Sequence, residues 1–305
     1  MRYYTNVQMV GNDFLVRGYE SGKSFTSRES FQPTMFVPAK KKTKYKTLDG
    51  KYVQSIQPGT VRETREFIRS HDNVENFEIY GNNRYIYQYI SDRYPEDEIK
   101  FDLKKMNLVT IDIEVKSEGG FPTVEKCDEE MLLISLQDYN TKRILTFGVG
   151  PYRTQDKMVK YVECNDEYDM LTHFINYWSH TPPEVVTGWN CQLYDIPYLA
   201  KRITRVLGDK ACKKLSPWGL VTHEEIYMAG RPHLMYDIGG VTVLDYMDLY
   251  KKFTYKAQES YRLDYIGEVE LGQKKLDHSE HDTFKEFYTK AWNKFVDYNI
   301  QDVRI

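Results

Sequence analysis

The sequence predicts a mixed α/β protein, in which a small β-rich unit precedes a larger domain of strands alternating with helices. Three observations predict it. Up to about residue 103, short alternating stretches are separated by turn residues, whereas beyond it strand patterns alternate with long helical ones. Leu108–Val115 (LVTIDIEV) is a nearly continuous β-branched run, as expected of a central strand covered on both faces. Residues 167–179 instead place Leu171, Phe174, Ile175 and Trp178 at i, i+3, i+4 and i+7, an amphipathic helix that Pro182-Pro183 stops.

The elements follow in order. Residues 3–10 and 13–19 flank the turn Gly11-Asn12 and read as paired strands, and 61–70 reads as the one helix of this unit. The polar passage 91–98 follows the aromatic run 85–90 and reads as a linker. A boundary near residue 103 gives an N-terminal β-rich domain over 1–103 and a second domain over 104–305. In the second, 131–137 and 143–147 read as strands joined through Asn140-Thr141, and 185–189 as another short strand. After a turn, Ile196, Leu199, Ile203 and Val206 share one face of a helix that Gly208 caps. Residues 241–244 read as a strand, and a helix is expected from Ser260. From about Thr283 to the end, Phe284, Phe287, Tyr288, Ala291, Trp292 and Phe295 form a single helical stripe.

Composition narrows the function. With 42 Lys+Arg against 45 Asp+Glu and a formal charge of -3, the chain is excluded from proteins that hold nucleic acid by bulk positive charge. Its 26 tyrosines within 14% aromatic residues exclude a disordered chain. Cys127, Cys164, Cys191 and Cys212 are far apart with no C-x-x-C pair, which suggests neither a zinc site nor a disulfide framework, and a reducing cytoplasm is the expected compartment. The sequence has no run of about 18 apolar residues and no signal-peptide core, so no membrane partner is expected. The lysine run over 40–46 either contacts a nucleic-acid backbone by releasing counterions or is a solvated loop. His278 and His281 lack a third ligand at zinc spacing and read as a solvated helix start. Gly148-Val149-Gly150 lacks the rest of a dinucleotide fingerprint.

Two acids interrupt the central strand. A carboxylate inside a buried strand costs several kcal/mol unless paired or bound to metal. Asp112 and Glu114 are two residues apart, so both project from one face of the sheet, where hard oxygen ligands suit Mg2+ or Mn2+. The alternative is an exposed Glu114 and an Asp112 paired with lysine. Asp195 follows the turn 188–194 at a helix start, where an N-cap role and a metal role can coexist. Asp302 lies four residues after Tyr298, so carboxylate and phenol share a helical face; a surface acid on an amphipathic helix is the plainer reading.

Asp112-Ile113-Glu114, Asn190 through Tyr194-Asp195, and Tyr298-Asn299-Ile300-Gln301-Asp302 together resemble the three exonuclease motifs of family B DNA polymerases. Leu244-Asp245-Tyr246-Met247-Asp248-Leu249-Tyr250, Ser260-Tyr261-Arg262-Leu263-Asp264 and Pro33-Thr34-Met35-Phe36 extend the likeness over essentially the whole chain, and it is most like the polymerases of T-even-type tailed phages.

The resemblance implies a ribonuclease-H-like exonuclease domain with a mixed sheet and a 3′-to-5′ exonuclease using two divalent metal ions, Mg2+ or Mn2+. Asp112 would bridge both ions, Glu114 and Asp302 would complete the nucleophile-side one, and Asp195 would hold the other. Tyr298 would position the water or the phosphate rather than take a proton. Tyr194 and Phe121 are candidates to stack on terminal bases and Asn190 to bond the sugar-phosphate, with core packing and turn stabilisation as the plain alternatives.

The implied partners are a single-stranded DNA or primer 3′ end, a C-terminal polymerase portion, a sliding clamp, and RNA through the N-terminal domain. The setting would be the cytoplasm of an infected host cell. The family's palm motifs are missing, so this chain is not expected to polymerise; it reads as an N-terminal piece or half of a split polymerase. The rival readings are a non-catalytic nucleic-acid-binding or assembly module and an RNA-degrading nuclease of the same fold.

Overall fold

The computed structural model describes residues 2–75, 77–95, 99–228, 230–277 and 279–305. The chain forms two compact units, Met1–Leu103 and Lys104–Ile305. In the first, β1 (Arg2–Val10), β2 (Asp13–Glu20) and β3 (Lys23–Ser30) form an antiparallel sheet. Gly11, at φ +63°, turns β1 into β2 in the left-handed region that side chains resist. A second sheet pairs β4 (Met35–Pro38) and β5 (Tyr45–Lys46) with β6 (Tyr52–Ile56) between them. The lysines of the 40–46 run are all exposed, and Lys44 and Lys46 lie over the rings of Tyr45 and Tyr52.

Two helices complete this unit, α1 (Val61–His71) and α2 (Tyr85–Arg93). Thr60 caps α1 by accepting from Glu63 N–H, while the Glu63 carboxylate accepts from Thr60 N–H at 2.7 Å. Helix α2 departs from the sequence expectation of a single helix and a linker over 91–98. Tyr85 and Tyr89 are one turn apart, so both rings enter the core with Phe14, Val16, Phe31 and Met35, and Tyr89 stacks on Phe14 at 4.8 Å. Residues 91–93 therefore belong to the helix, and residues 96–98 of the expected linker lie outside the described residues.

The second unit begins with β7 (Leu108–Val115), β8 (Met131–Asp138), β9 (Ile144–Gly148) and β10 (Val159–Glu163). Then come α3 (Glu167–His180), β11 (Val185–Gly188), α4 (Asp195–Leu207), the short α5 (Asp209–Cys212), the hairpin β12 (Val221–Met228) and β13 (Arg231–Ile238), and β14 (Thr242–Asp245). Helices α6 (Tyr246–Phe253), α7 (Leu263–Leu271), α8 (Phe284–Lys290) and α9 (Trp292–Asp302) end the unit. Six strands form one mixed sheet of order β10-β9-β8-β7-β11-β14, antiparallel across β9-β8-β7 and parallel elsewhere.

Period-two alternation sorts the sheet into two faces. Val109, Ile111 and Ile113 of β7 join Val186, Phe174, Trp178, Leu199 and Ile203 in a core roofed by α3 and α4. The residues between them, Thr110, Asp112 and Glu114, face the other side. There α8 and α9 bring Phe287, Phe295, Val296 and Ile300 onto Leu133 and Ile144. The terminal stripe is two helices rather than the single one expected. At Ala291 (φ -133°, ψ 48°) the backbone leaves the helical region, and the broken pair packs Phe287 edge-on against Phe295 at 5.4 Å. No local breaker marks that site; packing on the sheet decides it. The helix expected from Ser260 begins instead at Leu263.

Among the described residues, no helix is long and apolar enough to cross a membrane. The four cysteines are buried and free. One ion pair lies inside the apolar side of the domain: Arg202 Nε of α4 donates to Glu167 Oε1 of α3 at 2.7 Å, and the same oxygen accepts from Met131 N–H at 2.8 Å. Removing one partner of a buried pair strands the other, at a cost of about 3–5 kcal/mol. Arg202→Ala is therefore expected to lower the thermal unfolding midpoint by about 10 °C. In the same circular-dichroism melt, Lys290→Ala, which loses only an exposed i,i+4 pair with Glu286, should stay within about 2 °C of wild type. Equal shifts in the two variants would show that burial does not govern the pair.

Candidate active site

Asp112 and Glu114 project from the α9 side of β7, and Asp302, the last residue of α9, meets them there. One oxygen from each of the three lies within 4.8 Å of the others. Glu114 and Asp302 are buried, and among the described residues Oδ1 of Asp302 has no hydrogen-bond partner. Buried carboxylates at this separation cannot all carry charge without a cation. The set is all hard oxygen, which fits a divalent ion of the magnesium, manganese or calcium kind.

Asp112 is held from the side. Asn299, fully buried on α9, donates from Nδ2 to Asp112 Oδ2 at 2.6 Å, and its own Oδ1 accepts from Ser135 Oγ. Ser135 Oγ in turn shares a hydrogen bond with Thr146 Oγ1 at 2.7 Å. Sheet register explains the row, since Asp112 stands opposite Ser135 on β8 and Ser135 opposite Thr146 on β9. A polar relay thus crosses three strands beneath α9.

Asp195 reaches the same place by another route. Pairing of β11 with β7 runs only as far as Thr187 opposite Thr110, and beyond it Asp195 Oδ1 accepts Ile113 N–H at 3.1 Å. That bond inserts Asp195 between the two strand acids. It also corrects the expected N-cap: Tyr194 occupies the cap position, and no side chain caps α4. The carboxylate that the cap would have used is committed to β7 instead.

A cation of the protein's own stands in the cluster. Lys275 Nζ donates to Asp302 Oδ2 and, at 3.3 Å, to the Tyr298 hydroxyl. Burial alone would lower its pKa, but Asp302, Tyr298 and Asp112 raise it on balance, so the ammonium stays charged. Tyr298 and Asp302 do share a face of α9, as their spacing implies. At the other rim, the rings of Phe121 and Tyr194 lie 5.3 Å apart, with Phe121 78% exposed and Tyr194 packed against Tyr198. Asn190 begins the turn into α4 at φ +62° and donates its N–H to Asp245 Oδ1 at 3.1 Å. His281 stacks on Phe287, while His278 lies outside the described residues.

A family model described as DNA polymerase family B, exonuclease domain, matches residues 60–266. The chain belongs to that family. It is 29% identical to the DNA-directed DNA polymerase of Enterobacteria phage T4 over 99% of this chain and 36% of that polymerase. It is 28% identical to the corresponding protein of Escherichia phage RB69, again over 99% of this chain and 36% of the relative. A DNA polymerase catalytic subunit of Psittacid herpesvirus 1 is 27% identical over 67% of the chain. The chain thus spans about a third of the length of its phage relatives.

Within the family B frame, three contributors escape the acid pattern. Asn299 and Asp245 sit inside stretches that resemble the family, but nothing in their spacing says that they hold another residue. Lys275 belongs to a Lys274-Lys275 pair that no motif marks, and the fold turns one of the two inward.

Burial, then Asp302, Asp195 and Glu114, hold the Asp112 carboxyl well above the usual carboxylate range. Burial and then Asp302 do the same to Glu114, and burial pushes Asp195 up to about 7 from 3.8. An acid whose pKa is higher in the folded chain takes up a proton on folding, so its contribution to stability is lost as pH rises. For Asp195 the window runs from 3.8 to about 7. In EDTA, the melting temperature is expected to fall across that window; the double variant Asp112→Asn, Glu114→Gln should melt several degrees higher than wild type near pH 7. Adding Mn2+ at pH 7 should raise the wild type and leave the double variant nearly unmoved. Equal melting temperatures for the two proteins near pH 7 would show that the cluster carries no strain.

Proposed function

We propose that residues 104–305 are a divalent-metal-dependent 3′-to-5′ exonuclease acting on single-stranded DNA ends, the proofreading portion of a replicative polymerase. The observation that carries this reading is the convergence of Asp112, Glu114 and Asp302 within 4.8 Å beside an unpartnered carboxylate oxygen. Membership of family B and the length of the relatives support the same assignment.

Asp112, Glu114 and Asp302 would hold one ion, and Asp112 with Asp195 a second, either Mg2+ or Mn2+. When bound, such ions supply hydroxide near neutral pH and offset charge on the phosphate as it is cut. The chain's own groups do the rest. Asn299 fixes which Asp112 oxygen is free, because Oδ2 already accepts its amide. Burial raises the Tyr298 pKa, so its hydroxyl remains a proton donor that orients a water or a phosphate oxygen rather than a base. Lys275 supplies a positive charge beside the position where phosphate charge develops. Exposed Phe121 beside Tyr194 offers a platform for a terminal base, and Asn190 a donor to the sugar-phosphate.

A chain of net charge -3 is compatible with this substrate. A single strand is held by local stacking and bound cations, whereas duplex binding by bulk charge would need a basic surface. The partner assigned by the same reading is the polymerase portion that delivers the primer end.

The test is a 5′-labelled oligonucleotide incubated with the full chain in Mg2+ or Mn2+. A ladder shortening from the 3′ end is expected, with Asp112→Ala slower by about 10³-fold or more. Equal rates in wild type and variant would reject the site. A parallel RNA oligonucleotide decides the sugar, since faster cutting of RNA would replace the DNA assignment.

A further inference from the structure

The turn that carries Asn190 to Asp195 has an anchor outside the acid cluster. Asp245, the last residue of β14, is 4% exposed and has no lysine or arginine partner among the described residues. Both of its oxygens are committed to backbone. Oδ1 accepts Asn190 N–H at 3.1 Å and Met247 N–H at 3.0 Å, and Oδ2 accepts Gln192 N–H at 3.0 Å. One side chain thus caps α6 and ties down the turn that leads into α4.

The turn needs such an anchor. It departs from β11 at Gly188, which stands opposite Asp245 in the parallel register. A Cβ on Gly188 would come within 2.6 Å of Ile111 O, so the backbone there is pressed against β7. Asn190 then adopts φ +62°, a conformation that costs a non-glycine residue free energy unless its surroundings impose it. Its carbonyl accepts from Tyr194 N–H at 3.1 Å, and Cys191 O accepts from Ile196 N–H at 2.9 Å, which closes the turn onto the first residues of α4. At the end of this path Asp195 accepts Ile113 N–H, between Asp112 and Glu114.

We propose that Asp245 is a positioning residue of the nuclease site, acting through the 190–195 turn to fix where the Asp195 carboxylate stands relative to Asp112 and Glu114. The proposal rests on the exonuclease reading above. Asp245 touches neither substrate nor metal in this scheme. Its contribution is the placement of two N–H groups, Asn190 and Gln192, which would otherwise leave the turn free to rearrange. Asparagine at this position keeps one acceptor and turns an NH2 toward one of the donors, and alanine keeps none.

The experiment compares Asp245→Asn and Asp245→Ala with wild type in the full chain by three readouts. Amide hydrogen exchange over 189–195 should accelerate at least about tenfold, while exchange over 131–137 in the central sheet stays at the wild-type rate. Mn2+ affinity by calorimetry should weaken about 10- to 100-fold, as should the rate of shortening of a 5′-labelled oligonucleotide, with alanine the worse.

Unchanged exchange over 189–195, or a lower melting point with wild-type Mn2+ affinity, would overturn the proposal. If the alanine variant does not fold, the asparagine variant decides by the same three readouts. A wild-type chain that binds Mn2+ yet cuts no DNA would defeat the exonuclease reading alone, and exchange with Mn2+ affinity would still judge the positioning role of Asp245.

Discussion

Like charges held together on one face of a buried strand set the conditions that the rest of the larger unit satisfies. Asp112 and Glu114 repel each other, and Asp302 and Asp195 add to the strain rather than relieve it. Each neighbour of the cluster answers part of that problem. Asn299 donates to Asp112, Ile113 N–H to Asp195, and Lys275 to Asp302. Lys275 offsets one negative charge, whereas the hydrogen bonds from the neutral donors Asn299 and Ile113 spread charge without cancelling it.

Placing that cluster on a strand has a structural consequence. The alternation of β7 lets one face be wholly apolar, so α3 and α4 can cover it with Phe174, Trp178 and Leu199 at full burial. The polar face then needs a lid that is polar over β7 and, apart from the Ser135–Thr146 pair that Asn299 meets, apolar over β8 and β9. Helix α9 has both characters. Phe295, Val296 and Ile300 face Leu133 and Ile144, whereas Tyr298, Asn299 and Asp302 face the acids. The break at Ala291 fits this demand, because a continuous helix would carry the aromatic stripe past the sheet instead of folding it into two packed turns.

The frame of the larger unit was legible because its signals are periodic. Leu108–Val115 reads as a central strand from β-branching alone, and Asp112 and Glu114 gain meaning from that context, since the same pair on a loop would be ordinary surface. Helix α2 was illegible because its run of tyrosines satisfies strand and helix patterns alike, and only the pocket beside Phe14 selects the helix. Asp195 shows a different limit. Sequence placed it at a helix start and gave it the commonest use there, but its actual partner is a backbone amide 82 positions away. Lys275 was hidden for the same reason. Its role depends on a segment between α7 and α8 that has no period to read, and only tertiary structure brings it to Asp302.

Charge arithmetic within the site argues for what must occupy it during work. Among the described residues, four carboxylates face a single ammonium, so three negative charges remain to be balanced in a region of low dielectric. Protons can balance them, and burial together with mutual repulsion lifts these pKa values above the usual carboxylate range. Protonated acids, however, offer phosphate no cation to lean on. Divalent ions balance the same charge while leaving every carboxylate an oxygen donor, and a geometry that is costly for the empty cluster becomes a favourable one for binding. On the exonuclease reading, the strain in the acid cluster and its capacity to hold metal are therefore one property seen at two ionic conditions.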